Sequence, residues 1–595
     1  MRMRSICTRL IASVMVLFAL AIPVFSQTVA DTSSKDSTKR DDVSLLKQQI
    51  AEQQKEIEQL RAIVNQMKQR MDQSSNPAPT TAATPAPAAT TTPNLGLVAS
   101  TSPMVPKAAG KSSAASDANL VASAVIPPAA ATPQPQTQKT DPEPPLQLHI
   151  GTASITPIGF MDFSSVFRTH AAGGSIGTSF GSIPYGSSGS AAYQTNLSET
   201  RLSMQNSRIG FRVDADVKGA HVIGYMEADF LGNNPANVAV SSNSNTLRSR
   251  LYWVDIARGS WELLGGQTWS LITPSRYGIS PLPGDLFFCG QLVDVNYNAG
   301  LFWGRIPELR VVYHHPSNKL AFAVAIDSPD QYAGGSSGGP LITLPAALAS
   351  STAYEGELDY NQNGLNAPNV APDVIAKLAI DPSRRVHFDI GGVERQFKLW
   401  YPGAAATSTT PAIPSATFSA TGGGGFLNFE VEPIKGFRLL THNFWSDGGG
   451  RYIFGQAPDL IAHANGSISL IHASSTVSGF EYTFKKTMIY AYYGGIYVGR
   501  NVAIDTTGKL IGYGYTGAPA SQNRTIQEPT FGFNQTIWKD AKWGAVNFMG
   551  QYSYLTRDPW YVATGQPKNA IDNMVFFNLR YTLPGSAPTL GRLAQ

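Results

Sequence analysis

The feature that most constrains this chain is a series of amphipathic segments joined alternately by short turns and long loops. The clearest stretch, "SRIGFRVDADVKGAHVIGYMEADF" at 207–230, alternates apolar and polar side chains on both sides of a turn at Lys218-Gly219. A period of two predicts β-strands with one apolar and one polar face. Two architectures fit the pattern: a soluble sandwich with the apolar face inside, or a closed barrel with the apolar face in lipid.

The connections between the strands decide between these architectures. Candidate strands lie near 157–167, 201–216, 221–231, 247–257, 260–270, 308–315, 318–328, 370–381, 385–399, 424–433, 436–446, 469–484, 486–499, 526–538, 543–556 and 571–583. Tight turns alternate strictly with long loops rich in Gly, Ser, Asn and Ala, which is typical of bacterial transmembrane barrels. A sandwich has no reason to sort its connections in this way. We therefore predict an all-β fold, a 16-stranded antiparallel transmembrane β-barrel over 146–583, with a tail at 584–595.

The N-terminus predicts export. Arg2, Arg4 and Arg9 precede an apolar run from about Leu10 to Val24, as in a secretory signal peptide over 1–26, with cleavage as late as 30. Removal of those three arginines takes the formal net charge from +4 to about +1, so we expect no nucleic-acid partner. Only Cys289 then remains, so no internal disulfide is expected.

Two further segments separate the signal peptide from the barrel. Residues 40–72 hold a heptad pattern for four repeats with Val43 at position a, which predicts a short α-helical coiled coil rather than a lone amphipathic helix. A coiled coil requires an oligomer, although the pattern does not separate a dimer from a trimer. Residues 73–145 are rich in Pro, Ala and Thr, and this composition predicts a disordered linker.

The third long connection, 271–308, differs from the other loops. It contains fewer Gly and Ser residues and more apolar ones, among them Leu282, Phe287, Phe288 and Trp303. A loop in water does not need such residues, whereas a loop folded into the barrel does. We interpret it as a constriction loop; the alternative is a surface loop or a contact within a trimer.

Inward-facing charges form the predicted lining of the pore. On strand parity and loop position, the constriction candidates are Arg208, Arg212, Arg248, Arg250, Arg310, Asp285 and Asp294. Lys377, Lys398 and Arg580 are expected to join them. Clustered arginines offer paired donors to carboxylates and phosphates and favour the passage of anions. The alternative is that these arginines pair with acids such as Asp214, Glu227 and Asp229 and merely stiffen the wall.

The sequence contains little that indicates catalysis. Two G-x-S-x-G matches, beginning at Gly173 and Gly334, lie in Gly/Ser-rich loops and lack the strand and helix that a nucleophile elbow requires. The histidines are scattered, without metal-ligand spacing. We expect no enzyme activity, no cofactor and no metal site.

Several motifs resemble one family. The order of signal peptide, heptad helix, low-complexity spacer and barrel, with "SRIGFRVDADVKG", "LRSRLYWVDI" and "LLGGQTWS", resembles the DcaP-like trimeric porins of Gram-negative outer membranes. This resemblance implies a homotrimer, a coiled coil in the periplasm, and passive uptake of small, often anionic, solutes.

Three functions remain open from the sequence. The leading hypothesis is an outer-membrane porin that forms a water-filled channel for small hydrophilic, anionic solutes. A second is a substrate-specific channel for sugars or dicarboxylates, in which Tyr225 or Tyr252 would line the path. A third is a structural tether, with the barrel anchored in outer-membrane lipid and the coiled coil in contact with the cell wall.

Overall fold

The structure is a computed structural model that describes residues 146–584 except 173–175, 187–191, 234–244, 289–290, 350–355, 363–370, 404, 407 and 409–410. The predicted signal peptide, coiled coil and linker therefore lie outside the described residues. The same holds for Cys289 and for the tail beyond Pro584.

The described part of the chain is dominated by antiparallel strands. They are β1 (Leu148–Ile150), β2 (Ala153–Arg168), β3 (Glu199–Ser203), β4 (Arg208–Val217), β5 (Ala220–Asp229), β6 (Arg248–Arg258), β7 (Trp261–Trp269), β8 (Arg305–His314), β9 (Leu320–Asp327), β10 (Asp373–Ser383), β11 (Val386–Tyr401), β12 (Ala416–Ile434), β13 (Phe437–Asp447), β14 (Leu460–Ala462), β15 (Ile468–Leu470), β16 (His472–Phe484), β17 (Thr487–Val498), β18 (Asn501–Ile504), β19 (Leu510–Tyr513), β20 (Asn523–Asp540), β21 (Gly544–Pro559) and β22 (Ala570–Thr582).

Helices are few and short in these residues. The α-helices are α1 (Ala192–Asn196) and α2 (Ala346–Ala349), and 3-10 turns occur at Phe180–Ser182, Pro283–Asp285, Ser336–Gly338, Tyr360–Gln362 and Gly450–Tyr452. Within the described ranges, none of the helices has the length and apolarity to cross a membrane.

The strands form one closed barrel. Each barrel strand pairs with its neighbours in sequence, and β22 pairs with β2, for example at Asp162↔Arg580, which closes the sheet. β3 and β4 together make one barrel strand, because both pair with β2. The small hairpins β14–β15 and β18–β19 belong to long connections. Sixteen barrel strands result, which confirms the predicted number and antiparallel arrangement.

The tight turns have the backbone conformation that short hairpins require. Lys218 and Gly219, between β4 and β5, have φ values of 50° and 79°. Positive φ at both central residues is the signature of a type I′ turn, whose twist matches that of the flanking strands. Glycine adopts this conformation at no steric cost, so the dipeptide fixes the register Val217↔Ala220.

Apolar side chains cover the outside of the barrel. Ile209, Phe211, Val324 and Leu579 are exposed on its outer surface, whereas the alanines of β9 that point inward, such as Ala323, are fully buried. An apolar belt around a closed sheet is stable in lipid. Lipid offers no water to the backbone N–H and C=O groups, and a closed sheet leaves no edge at which they lack partners. The predicted orientation of the strand faces is thus confirmed.

Two residues were assigned to the wrong face. Tyr252 points outward and is 49 % exposed, because the register of β5 and β6 shifts between Glu227 and Ala228 and leaves Arg250 as an extra residue. Such a bulge reverses the parity beyond it. Lys398 also has outward parity on β11, where the inward residues are the buried Phe397 and Leu399. Loops fill the barrel at that level, so its inner face is apolar there.

The outward face of β9 gives a test of this arrangement. We expect Val324→Arg to destabilise the folded barrel by about 2–4 kcal/mol, because it places a guanidinium in hydrocarbon. Unfolding by guanidinium chloride in lipid vesicles measures the change. Val324→Leu is the matched control and should fold like the parent. Equal stability of the arginine variant would show that this face does not meet lipid.

Candidate permeation site

The third long loop, between β7 and β8, crosses the inside of the barrel. Arg276 in this loop donates to both carboxylate oxygens of Glu481 on β16, at 2.6 and 2.9 Å. Further along, the backbone N–H of Ala299 donates to Glu528 on β20 at 2.6 Å. The loop therefore leaves one wall of the barrel and is fastened to the opposite wall.

Aromatic packing fixes the same loop. Phe287 lies 5.4 Å from the Tyr492 ring and 4.5 Å from the His442 ring, measured between centroids. Phe302 stacks at 5.4 Å on Phe444. Both phenylalanines are at most 1 % exposed, so the apolar content of the loop is explained by burial inside the barrel. The sequence interpretation of a loop packed on the inner wall agrees with these contacts.

Two cavities lie inside the barrel on either side of the loop tip. The turn-side cavity, of about 440 Å³, reaches residues of the short turns such as Ala541 and Gly544. The loop-side cavity, of about 360 Å³, is bordered by long-loop residues such as Ser336. Val295 and Tyr297 at the loop tip border both cavities. The tip therefore separates two chambers along the barrel.

Charged side chains on β4, β5 and β6 connect the two chambers, and we call this set the arginine ladder: Arg208, Glu227, Arg250, Asp229 and Arg248. Arg208 lies 3.5 Å from Glu227, and Arg250 contacts Glu227 at 2.8 Å and Asp229 at 2.6 Å. Arg248 also contacts Asp229, at 2.8 Å. The ladder holds three guanidiniums and two carboxylates, which leaves it with an excess of one positive charge.

Strand register builds the ladder. Arg208 faces Asp229 across β4 and β5, and Asp229 faces Arg248 across β5 and β6, so alternating charges form cross-strand pairs. Arg250 is the bulged residue of β6, which turns it inward between Glu227 and Asp229. A guanidinium offers donors in two directions, and this geometry uses them on two carboxylates.

The structure places the predicted pore residues in two groups. Arg208, Arg212 and Asp294 border the turn-side cavity, and Arg248 and Arg250 border the loop-side cavity. Arg212 binds Asp214 on its own strand through two hydrogen bonds of 2.7 and 2.8 Å.

Arg310 and Asp285 belong to neither group, because they border neither cavity. Arg310 is buried against Glu308 at 2.7 Å, and Asp285 accepts a hydrogen bond from Ser280 at 2.7 Å. For Arg310, the structural role that was the alternative for the arginines fits better than contact with a solute.

Among the additional predicted cations, Arg580 borders the turn-side cavity, where it contacts Asp162 at 2.8 Å. Lys377 points inward but is buried against Asp389 at 3.3 Å. Asp294 is held by the backbone N–H groups of Thr178 and Asn296, and burial raises the pKa of its carboxyl.

The sequence reasoning missed two residues of the loop-side cavity. Arg305 lies beside the paired rings of Trp269 and Trp303, at 5.5 and 5.7 Å from their centroids. It is the first residue of β8 and has the parity of outward-facing Pro307, so alternation alone places it outside. Asp330 follows β9 in a long loop and had no motif to mark it.

The Asp330 carboxyl has a shifted pKa. Burial raises its pKa to about 6, and the nearby carboxylates of Asp359 and Asp459 act in the same direction, against Arg451 and Arg395. The loop-side cavity therefore contains a group that changes charge in mildly acidic water. In the described part of the chain, no three His, Cys, Asp or Glu side chains are placed to hold a metal ion.

Comparisons with known proteins give a likeness of fold. No family model and no curated protein matches the sequence. Among solved structures, the outer membrane channel DcaP of Acinetobacter baumannii matches at 17 % identity and a TM-score of 0.48, over 72 % of this chain and 97 % of that one. OmpT, an outer membrane protein of Vibrio cholerae, matches at 10 % identity and a TM-score of 0.38, over 73 % and 99 %.

An anion-selective porin from Comamonas acidovorans matches at 12 % identity and a TM-score of 0.38, over 72 % of this chain and 99 % of its own. These matches are outer-membrane porins, the kind of protein that the sequence motifs resemble. At these identities the likeness concerns the barrel fold, so the solute and the assembly must be argued from this chain.

The anchor of the third loop gives a second test. We expect Arg276→Met to destabilise the barrel by about 3–5 kcal/mol and to increase fluctuations of the open-channel current. The substitution removes the guanidinium that pairs with the buried Glu481 carboxylate and leaves the Tyr492 hydroxyl as its hydrogen-bond donor. Guanidinium unfolding and single-channel recording measure the two effects. The double variant Arg276→Met/Glu481→Met should regain most of the stability, and Lys435→Gln on an exposed turn should change neither quantity.

The pKa of Asp330 gives a third test. Above pH 6 the carboxyl is ionised, and below pH 6 it binds a proton, so acid removes one negative charge from the loop-side cavity. We expect the anion-to-cation permeability ratio to rise about fourfold from pH 7.5 to pH 5. A unit charge ~10 Å from an ion in water changes its energy by ~0.4 kcal/mol, with opposite sign for anion and cation.

Reversal potentials in a salt gradient measure this ratio. Asp330→Asn should have the higher ratio at both pH values and lose most of the pH dependence. An unchanged pH response in that variant would assign the titration to another group.

Proposed function

We propose that this protein is an outer-membrane porin, a passive channel for small hydrophilic solutes. The observation that carries the proposal is a closed sixteen-stranded barrel with an apolar outer face and two charged chambers inside. A barrel of this strand number is too wide for wall side chains to fill, so its interior holds water except where a loop enters. The third loop acts as the constriction in this proposal.

The channel prefers anions in this proposal. The arginine ladder has one more guanidinium than carboxylates, and Arg305 beside it adds a further positive charge. The ladder runs from the turn-side cavity at Arg208 to the loop-side cavity at Arg248. A continuous line of guanidiniums past the narrowest point lowers the cost for an anion of losing water.

We propose a homotrimer on the predicted coiled coil at 40–72, with that helix in the periplasm and the long loops outside. The alternative of a tether between membrane and cell wall uses the same helix. Deletion of 40–72 separates the two roles: loss of envelope integrity with unchanged solute uptake would favour the tether.

A substitution on the ladder tests the anion preference. We expect Arg248→Gln to reduce the anion-to-cation permeability ratio about fourfold, because it removes a unit charge at the loop-side cavity. Asp229 keeps its contact with Arg250, so folding should be retained. Lys509→Gln, on an exposed hairpin turn outside both cavities, is the matched control.

Reversal potentials in bilayers measure the ratio. Cation preference in the parent protein, or no change in the Arg248 variant, would contradict the proposed role of the ladder. A purified protein that forms no channel in bilayers would contradict the porin proposal itself.

A further inference from the structure

The loop-side cavity contains a cation that the protein itself does not neutralise. The guanidinium of Arg305 makes no hydrogen bond or ion pair with the described residues, and its Nε is shielded from water without an acceptor. The rings of Trp269 and Trp303 lie on one side of it, at 5.5 and 5.7 Å, while Arg248 and Arg250 repel it. A shielded charge without an internal partner is costly, so the site is built to receive an anionic group.

The same cavity contains a carboxylate, that of Asp330, which the described residues do not neutralise either. Among the described residues, none donates a hydrogen bond to the Asp330 side chain or lies within ion-pair distance of it; only its backbone carbonyl is used, by Arg395. The neighbouring cations are engaged elsewhere. Arg395 contacts Asp373 at 2.9 Å and Asp459 at 2.8 Å, and Arg451 donates to the carbonyl of Ser328 at 2.9 Å.

The charges around Asp330 give this end of the cavity a negative sign. The carboxylates are those of Asp330, Asp359, Asp373 and Asp459, whereas Arg395 and Arg451 supply the cations. Four negative charges against two positive ones leave an excess of two negative charges. At the other end, Arg248, Arg250 and Arg305 face Glu227 and Asp229, which leaves an excess of one positive charge.

We infer that the loop-side cavity binds small zwitterions, with the carboxylate of the solute on Arg305 and its ammonium group on Asp330. The chemical class is that of amino acids and short peptides. Both side chains border one cavity of about 360 Å³, a size in the range of small-molecule sites. The inference rests on the proposed porin function and names the solute that the loop-side chamber selects.

Neither a site for anions nor a site for cations accounts for both kinds of charged residue in this cavity. A site for simple anions would not place the carboxylates of Asp330 and Asp359 at its other end. A site for cations would not place Arg305 beside two more arginines. A solute with both charges satisfies Arg305 and Asp330 at once, and the net charge of the cavity does not change when it binds.

Protonation of Asp330 supports the same assignment. In acid the carboxyl is neutral and no longer attracts an ammonium group, with Asp359, Asp459, Arg395 and Arg451 as the charged groups around it. Binding of a zwitterion should therefore weaken between pH 7.5 and pH 5. Binding of a simple anion should strengthen over the same interval, because the cavity becomes more positive.

Three matched probes test the inference in the full-length protein. Glycylglycine carries both charges, N-propionylglycine lacks the ammonium group at similar size, and glycylglycinamide lacks the carboxylate. The measurement is the concentration of each probe that halves the ion current through single channels at pH 7.5. We expect glycylglycine to block at a concentration about tenfold lower than either singly charged probe.

Two variants assign the ends of the site. Asp330→Asn should raise the half-blocking concentration of glycylglycine about tenfold. Glycylglycine and N-propionylglycine should then have equal half-blocking concentrations. Arg305→Gln should weaken the block by both carboxylate probes and leave glycylglycinamide unchanged or improved. Because this substitution removes an uncompensated charge, the variant should fold, and its unfolding curve checks that it does.

Equal block by glycylglycine and N-propionylglycine in the parent protein would overturn the inference, and so would an Asp330→Asn variant that still prefers the zwitterion. In both cases an anion-selective current would persist and the porin proposal would stand. Absence of any channel current would instead reject the porin proposal, so the two failures are distinguishable.

Discussion

The whole structure depends on backbone hydrogen bonding in a medium that offers none. In lipid every N–H and C=O must find its partner within the protein, and a sheet meets that demand only when its last strand pairs with its first. Pairing of β22 with β2 does this. Closure with sixteen strands has a second effect, because the enclosed space is wider than the wall side chains can fill. The third loop occupies part of that space.

The interior combines features of a protein core and of a channel. Phe287, Phe302 and Trp269 are as buried as core residues, yet charged groups in ion-pair contact lie beside them. Burial of charges is tolerated because the ladder alternates in sign and each carboxylate contacts more than one guanidinium. The third loop thus rests on aromatic packing, while charged side chains border the chambers on both sides of its tip.

Strand number, strand order and the facing of most side chains could be predicted from the sequence. The reason is physical: lipid imposes a strict period of two on the outer face, and turns and loops have different compositions. Ile209 and Leu579 on the outside and Ala323 on the inside follow this rule. The loop at 271–308 was recognisable for a similar reason, because its apolar residues had to be buried.

The alternation rule fails where something other than lipid sets the environment. At Tyr252 a bulge reverses the parity, and a bulge leaves no mark in a single sequence. Near Lys398, loops fill the barrel, so the inner face of β11 is partly apolar, as its outer face is. Arg305 begins a strand, before the alternation is established, and Asp330 lies in a loop with no periodicity at all. Residues of this kind are defined by contacts between distant segments, which periodicity does not report.

The position of the loop tip has a consequence for how fast a solute can move. Val295 and Tyr297 stand between two chambers that each present guanidiniums, and the ladder passes beside them from Arg248 to Arg208. In the proposed channel, a carboxylate would move from one guanidinium to the next along this row. The rate of permeation would then depend less on the affinity of any one guanidinium than on how similar the affinities along the row are. One guanidinium that bound the solute very tightly would slow its passage.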